Sequence, residues 1–222
     1  FLQILACTLA AYGLARYPYP GSKIVLMLII FTLVVPPQTY MSAQYIEFRF
    51  FNPLGLVKLL RGTVGVNNTL WPFVIQAVLC QGLRNGLYIF LIYQYFRNLP
   101  KELEEAAWVD GAGPWKTFLK IVIPASGSAL ITVLLFSVVW HWNDYYLAQM
   151  YMSENPTFSV ALNNFSSNTV MAALGVDANT AMMMSLPVLL AGCLMYVLPL
   201  IIFYILIQRK FIASIATSGI VG

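Results

Sequence analysis

Residues 182–207 read MMMSLPVLLAGCLMYVLPLIIFYILI, a run of 26 residues without a charged side chain. About 20 apolar residues in a helix cover the hydrocarbon core of a lipid bilayer. Inside that core every backbone polar group needs a partner within the protein, and a helix supplies such partners along its own length. This stretch therefore predicts a membrane-spanning helix.

The composition of the whole chain agrees with that prediction. Of its 222 residues 60% are hydrophobic and 9% are charged, whereas a soluble domain carries roughly 25% charged residues. This excludes an ordinary water-soluble enzyme. Cys7, Cys80 and Cys193 lie in apolar stretches without a second ligand nearby in the sequence, so free thiols are expected rather than a disulfide framework or a metal site.

Four further apolar stretches have a comparable length, and the second is interrupted at Pro36 and Pro37. We therefore expect an all-α membrane protein with one transmembrane domain over residues 1–222. Together with the stretch quoted above, the five predicted spans are approximately 1–17, 24–45, 71–96, 125–148 and 182–207.

The few basic residues are distributed unevenly between the loops, and the formal net charge of +4 is spread too thinly to form a nucleic-acid-binding patch. Because cytoplasmic loops are enriched in Lys and Arg, the more basic side is assigned to the cytoplasm. That side holds the 97–124 loop and the C-terminus. Its eight basic residues are Arg16, Lys23, Arg97, Lys101, Lys116, Lys120, Arg209 and Lys210, and those opposite are Arg49, Lys58 and Arg61.

Two outward loops are long enough to have a function of their own. Residues 46–68 contain the aromatic and basic sequence Phe48-Arg49-Phe50-Phe51, which suits a segment lying along the membrane interface. Residues 149–181 are rich in Asn and Ser and lack Lys and Arg. The second loop is either a contact for another protein or a mobile external loop.

The 97–124 loop contains eight of the twenty charged residues of the chain. Pro100 suits a first helical turn, and the three glutamates after it favour the positive end of a helix, so a helix is predicted from about Pro100 to Asp110. Gly111, Gly113 and Pro114 end that helix, and a second one leads from Trp115 to Pro124. Two short helices that meet at a bend suit docking into a groove of another protein.

The spacing of small residues in this loop is more specific than its charge. Glu105-Ala106-Ala107 is followed after three residues by Gly111 and after nine more by Ile121-Val122-Ile123-Pro124. This arrangement resembles the EAA loop of ABC-importer permeases, with Ile123 where that pattern usually has Leu. The bland alternative is a charged, helical cytoplasmic loop of no special function.

The resemblance extends over nearly the whole chain and is to the carbohydrate, maltose-type permeases. The segments that carry it are Ala11-Tyr12-Gly13-Leu14-Ala15-Arg16 with Pro20-Gly21, Pro36-Pro37-Gln38, Trp142-Asn143-Asp144, Gln208-Arg209-Lys210-Phe211 and Ser218-Gly219. It implies a type I ABC importer transmembrane domain. Five spans of the usual six would be present, with the first span missing from an N-terminally truncated sequence.

The resemblance also implies partners and contact positions. The partners would be a second permease subunit, a dimer of ATP-binding cassette ATPases and an extracytoplasmic solute-binding protein, in a bacterial-type plasma membrane. The chain itself would bind no cofactor, because ATP is bound by the partner subunits, and it has no Walker-type Gly-rich Lys loop. The ATPase-coupling positions carried over are Glu105, Ala106, Ala107, Asp110, Gly111 and Pro124.

Arg84, in the middle of the third predicted span, is the first candidate for the substrate path. A central Arg in a membrane helix costs roughly 2.5–3.5 kcal/mol and should face a wet cavity, a carboxylate or another subunit. Asn143 and Asp144, in the sequence WHWNDYY at the outer end of the fourth span, are the others. Aromatic rings and polar groups together suit sugars, but the same rings also form the interfacial belt of membrane helices, and Arg84 equally suits a structural pair between helices.

The sequence thus predicts a transport subunit without enzymatic activity, one that translocates a sugar or oligosaccharide. A stand-alone secondary transporter that couples ions through Arg84 and Asp144 is the main alternative, and it leaves the EAA spacing unexplained. A membrane-embedded enzyme is disfavoured because no nucleophile with a base, and no cluster of metal ligands, is evident in the sequence. The identity of the sugar is not encoded in any recognisable motif.

Overall fold

The fold was analysed in a computed structural model. It describes residues 1–62 and 65–218, without the side chains of 60, 61 and 210–218. Gly219 of the terminal Ser-Gly motif lies outside the described residues. All regular elements in the described part are helical. The α-helices are α1 (Leu2–Arg16), α2 (Ser22–Phe31), α3 (Met41–Arg49), α4 (Leu56–Arg61), α5 (Trp71–Val78), α6 (Asn85–Asn98), α7 (Glu102–Val109), α8 (Pro114–Thr117), α9 (Ile123–Ala125), α10 (Gly127–Trp142), α11 (Tyr146–Tyr151), α12 (Phe158–Asn163), α13 (Ser167–Leu174) and α14 (Ala178–Ser218).

The described residues pack as two units. The first comprises residues 1–39, 73–138 and the segment that begins at Ile207, and the second comprises 40–72 and 139–206. The all-helical architecture predicted from the sequence is confirmed for the described residues. The boundary of a single domain over 1–222 stays a prediction.

The core of the first unit lies between α1 and α6, with the segment that follows α8 and the middle of α10 packed against them. Its side chains are apolar or aromatic and are almost completely buried, as expected where helices pack closely. They are Cys7, Ala11, Tyr12, Tyr88, Ile89, Ile92, Phe96, Phe118, Val122 and Val133.

Three polar side chains inside this core are hydrogen-bonded to one another and connect three helices. The Gln3 amide of α1 donates to the carbonyl of Leu83 (2.7 Å) and to the Asn85 side chain of α6. Ser137 of α10 donates to the other end of Gln3 (3.0 Å). Gln3, Asn85 and Ser137 are all buried. Since such groups need partners in an apolar environment, these bonds fix the positions of α1, α6 and α10 relative to one another.

The third predicted span, 71–96, is wrong as a continuous helix. Helix α5 ends at Val78 and α6 begins at Asn85, and between them Cys80 (φ 55°) and Arg84 (φ 61°) adopt left-handed backbone conformations. The hydrogen bond from Gln3 provides a partner for the Leu83 carbonyl inside this break. Arg84 therefore lies at a helix junction, half-buried, rather than in the middle of a helix.

The other predicted spans correspond to helices of unequal length. By length and composition one described helix can cross a membrane unaided, Ala178–Arg209 within α14. The segments Pro114–Ala125 and Gly127–Trp142 reach the same standard only as a pair, and they are bent by 75°. Helices α1 and α2 are apolar but have 15 and 10 residues. The count of five spans, and the missing first span, are therefore not confirmed and stay predictions.

In the second unit, the end of α10 is hydrogen-bonded to α14. Trp142 donates from its indole nitrogen to the Tyr196 carbonyl (3.1 Å), and the Tyr196 hydroxyl donates back to the Trp142 carbonyl (2.8 Å). At the start of α14, Asp177 accepts hydrogen bonds from the Thr180 hydroxyl and from two backbone N–H groups. The bond from the Thr180 hydroxyl is the main reason why the pKa of Asp177 is lowered.

The close packing of α2 against α6 can be tested by a substitution at Gly86. A Cβ atom at this position would lie 2.5 Å from the Thr32 hydroxyl oxygen and 2.8 Å from the Ile29 carbonyl oxygen. Overpacking of this kind typically costs about 1–3 kcal/mol. We expect Gly86→Val to lower the free energy of unfolding by about that amount, measured by denaturant titration in detergent micelles.

The matched control is Gly13→Ala in α1, where a Cβ would have no heavy atom within 4 Å. Ala is a better helix former than Gly by up to about 1 kcal/mol, so this variant should be neutral or slightly more stable. Equal stability of Gly86→Val and the unmodified chain would contradict the close α2–α6 contact.

Candidate coupling site

Helix α7 has one face turned into its own unit and one face turned outward. Glu104 and Ala107 are 3% and 5% exposed. Side chains three and four positions apart share one side of a helix, and the opposite side of α7 is exposed. We call this side the outer face of α7, and it consists of Glu102, Glu105, Ala106 and Val109.

Glu104 fastens α7 to α1. Its Oε1 forms an ion pair with Nε of Arg16 (2.6 Å), and its Oε2 accepts a hydrogen bond from the Tyr12 hydroxyl (2.9 Å). The side chains of Arg16 and Glu104 are 5% and 4% exposed. Arg16 also donates from Nη2 to the Leu99 carbonyl (2.7 Å) just before α7. We call Tyr12, Arg16 and Glu104 the anchor cluster.

Gly111 ends α7 in the left-handed conformation (φ 78°), and no heavy atom lies within 4 Å of where its Cβ would be. The backbone angle rather than crowding is therefore what favours glycine here. The N–H of Ala112 bonds to the Ala107 carbonyl (2.9 Å), which closes the helix end. The break predicted between two short helices is confirmed.

After the bend the chain forms α8, a π-helical turn at Phe118–Val122 and α9. Phe118 and Val122 are buried, whereas Trp115 is 68% exposed. Pro124 lies in the first turn of α9 and is exposed. The second predicted helix is thus divided into three short pieces, and π turns of this kind are frequent at functional sites.

A cleft of about 390 Å³ lies beside the anchor cluster. It is formed by α1 and by the start of the segment after the bend, and Tyr12 belongs to both the cleft and the anchor cluster. Its walls are almost entirely apolar. The lining residues are Leu9, Tyr12, Gly13, Tyr17, Pro114, Trp115 and Phe118.

Five of the six predicted coupling residues are exposed, namely Glu105, Ala106, Asp110, Gly111 and Pro124. Ala107 is buried, so it packs within the chain rather than presenting a surface. The structural role of Glu104 is not among the predictions from the sequence. The helical period could have indicated it, because Glu104 and Ala107 are three residues apart and share one side of the helix, whereas Glu105 is on the opposite side.

The substrate-path candidates lie in different units. Asn143 donates from its amide to the Val139 carbonyl (2.9 Å) and accepts from the Tyr196 hydroxyl (3.1 Å). Asp144 accepts from the Leu147 N–H (3.2 Å) at the start of α11. Both side chains therefore have partners in the second unit, and Arg84 belongs to the first. A shared role in a substrate path stays a prediction.

Residues 4–216 match the family model described as "Binding-protein-dependent transport system inner membrane component". The chain belongs to this family. Its relatives include the melibiose/raffinose/stachyose import permease protein of Bacillus subtilis, 30% identical over 100% of this chain and 71% of the relative. Another is the osmoprotective compounds uptake permease protein of Synechocystis, 31% identical over 99% of this chain and 65% of that protein.

A solved structure supports the fold of the permease. It is the crystal structure of a bacterial ABC transporter involved in the import of the acidic polysaccharide alginate, with a TM-score of 0.67. The match covers 95% of this chain and 69% of that one, at 22% identity. The resemblance to ABC-importer permeases is thus confirmed, and so is the expectation of a chain that is not an enzyme, because the relatives are permease subunits.

The anchor cluster of the permease can be tested through stability. Removing one partner of a buried ion pair leaves an uncompensated charge and typically costs about 3–5 kcal/mol. We expect Glu104→Ala to lower the free energy of unfolding by about that amount, measured in detergent micelles. Glu105→Ala, which removes the same side chain from an exposed position of the same helix, should change stability by less than about 0.5 kcal/mol. Equal effects of the two changes would contradict the anchor.

Proposed function

We propose that the chain is one transmembrane subunit of an ATP-driven importer and that the outer face of α7 is its contact with an ATPase. A second permease subunit, an ATPase dimer and an extracytoplasmic binding protein complete the assembly. The 97–124 segment and the C-terminus are cytoplasmic in this proposal. Membership of a binding-protein-dependent transport family supports it.

The outer face of α7 is the observation that carries the proposal. Val109 is 88% exposed although it is apolar, and Ala106 beside it is small and exposed. An exposed apolar strip with a small residue at its centre allows another backbone to approach closely. Glu102 and Glu105 border the strip with negative charge that can steer a basic groove. The anchor cluster holds the opposite side of the same helix, which fixes the direction of this face.

The coupling follows from that arrangement. When ATP binding draws the two ATPases together, the docked α7 helices move with them. Because α7 is attached to α1 within the first unit, its movement reaches the membrane helices and changes access to the transport path from one side to the other. The chain transmits motion and lines part of the path, and it carries out no covalent chemistry.

The substrate we propose is a sugar or an oligosaccharide. The Bacillus subtilis relative is named for melibiose, raffinose and stachyose, and the aromatic and amide groups around Trp142 and Asn143 are chemically suited to sugar rings and hydroxyls. Arg84 is the proposed path residue of the first unit. It offers several hydrogen-bond donors in a fixed planar geometry, which suits hydroxyl acceptors.

The ATPase contact is tested by Ala106→Leu. Leu retains helix propensity and apolarity, but it adds bulk at the centre of the outer face. An overpacked contact loses about 1–3 kcal/mol, so recovery of the ATPase with a tagged chain from its native membranes should fall about tenfold or more. The control is Ala172→Leu, at an exposed alanine of α13 in the second unit, which should leave recovery unchanged. Recovery that is equal for both variants would refute docking through this face.

The path role of Arg84 is tested by Arg84→Gln. The change removes the charge and most donors while keeping a polar, uncharged side chain. We expect uptake of radiolabelled raffinose or maltotriose, whichever the unmodified assembly transports, to fall at least about tenfold, which corresponds to the loss of about 1.4 kcal/mol. The amount of ATPase recovered with the chain should not change. Full uptake with intact assembly would exclude the path role.

A further inference from the structure

We propose that the anchor cluster is the positioning element that couples the displacement of α7 to α1. This inference rests on the proposed function, since it concerns how movement of an ATPase-bound α7 enters the membrane part of the chain. The family resemblance assigned contact positions on α7 and none of Tyr12, Arg16 and Glu104.

The anchor cluster joins α1 to α7 at the Glu104 carboxylate and joins α1 to the end of α6 through Arg16. Arg16 and Tyr12 approach the two oxygens of Glu104 from the last two turns of α1. The guanidinium of Arg16 is also held by a second contact, because its Nη2 donates a hydrogen bond to the carbonyl of Leu99, where α6 ends. A displacement of α7 therefore acts on α1 through a short ion pair and one hydrogen bond.

An incompletely packed region lies beside the anchor cluster. The cleft of about 390 Å³ separates part of α1 from Trp115 and Phe118, so apolar packing between these segments is incomplete. Tyr12 still packs on Phe118, with ring centroids 4.7 Å apart. Apolar side chains beside an open cleft have room to readjust, whereas separating the partners of a buried ion pair leaves buried charges uncompensated. The pair therefore favours joint movement of α7 and α1.

Stability alone does not require an ion pair between α1 and α7. Well-packed apolar residues of similar volume often replace a buried ion pair without loss of stability. A double variant, Arg16→Met with Glu104→Met, can therefore restore packing while it removes the directional contact. This separates a role in coupling from a role in folding.

The experiment uses the complete assembly purified from native membranes through a tag on this chain. Backbone hydrogen–deuterium exchange is followed at residues 8–16 and 102–109, with and without ATP plus vanadate. In the unmodified assembly the nucleotide should change exchange in both segments. In Glu104→Gln and in the double Met variant the response of 102–109 should persist, and that of 8–16 should fall by about threefold or more.

Matched controls remove the same groups elsewhere. Glu47→Gln removes an exposed carboxylate from α3, and Tyr19→Phe removes an exposed hydroxyl between α1 and α2. Both should keep the response of residues 8–16 at its unmodified level. Tyr12→Phe should reduce it, although less than Glu104→Gln does, because the ion pair to Arg16 remains.

The possible results are distinguishable. A response of residues 8–16 that survives in both Glu104→Gln and the double Met variant overturns the inference while leaving the proposed function intact. Restoration of the full response by the double Met variant alone shows that packing suffices and also overturns it. If no ATPase accompanies the unmodified chain and nucleotide changes neither segment, the proposed function fails and the inference fails with it.

Discussion

The buried carboxylate of Glu104 is the constraint on which the arrangement of the 97–124 segment depends. A charge removed from water is costly unless it is paired, and here Arg16 and Tyr12 supply the partners. Because those partners belong to α1, the position of α7 is fixed by a helix that lies more than 80 residues earlier in the chain. The orientation of the outer face, and hence of Glu105 and Ala106, follows from where Glu104 must point.

Local features of the 97–124 segment could be predicted from the sequence because local chemistry determines them. Proline before a run of glutamates favours a helix start, and Gly111 adopts a left-handed conformation that few other residues tolerate. The position of Glu104 relative to Arg16 depends instead on tertiary contact. The two adjacent glutamates are chemically identical, and only the packing of α7 against α1 makes one of them internal and the other external.

The prediction of a continuous helix over 71–96 was wrong for the same reason, namely that tertiary contacts determine the structure there. Hydropathy predicts one helix over 71–96, since few polar residues interrupt it. Within the break at 79–84, Gln3, distant in sequence, gives the Leu83 carbonyl a partner, as a backbone group in an apolar setting requires. Likewise nothing in the sequence indicates which partners Asn143 and Asp144 have. In the structure their side chains form hydrogen bonds with Val139, Tyr196 and Leu147. Composition cannot reveal such pairings, because it contains no information on which helices meet.

A charged anchor at this position also resolves a conflict between mobility and fixed geometry. In the proposed role, α7 has to move with a partner and still keep its orientation. Tight apolar packing over a large area would preserve orientation but resist rearrangement, since packed cores have discrete arrangements rather than continuous ones. The structure instead combines a small, directional contact at Glu104 with an incompletely packed cleft lined by Leu9 and Trp115. Under the proposed coupling, the contact determines that α7 and α1 move together, and the cleft leaves room for the surrounding side chains to adjust.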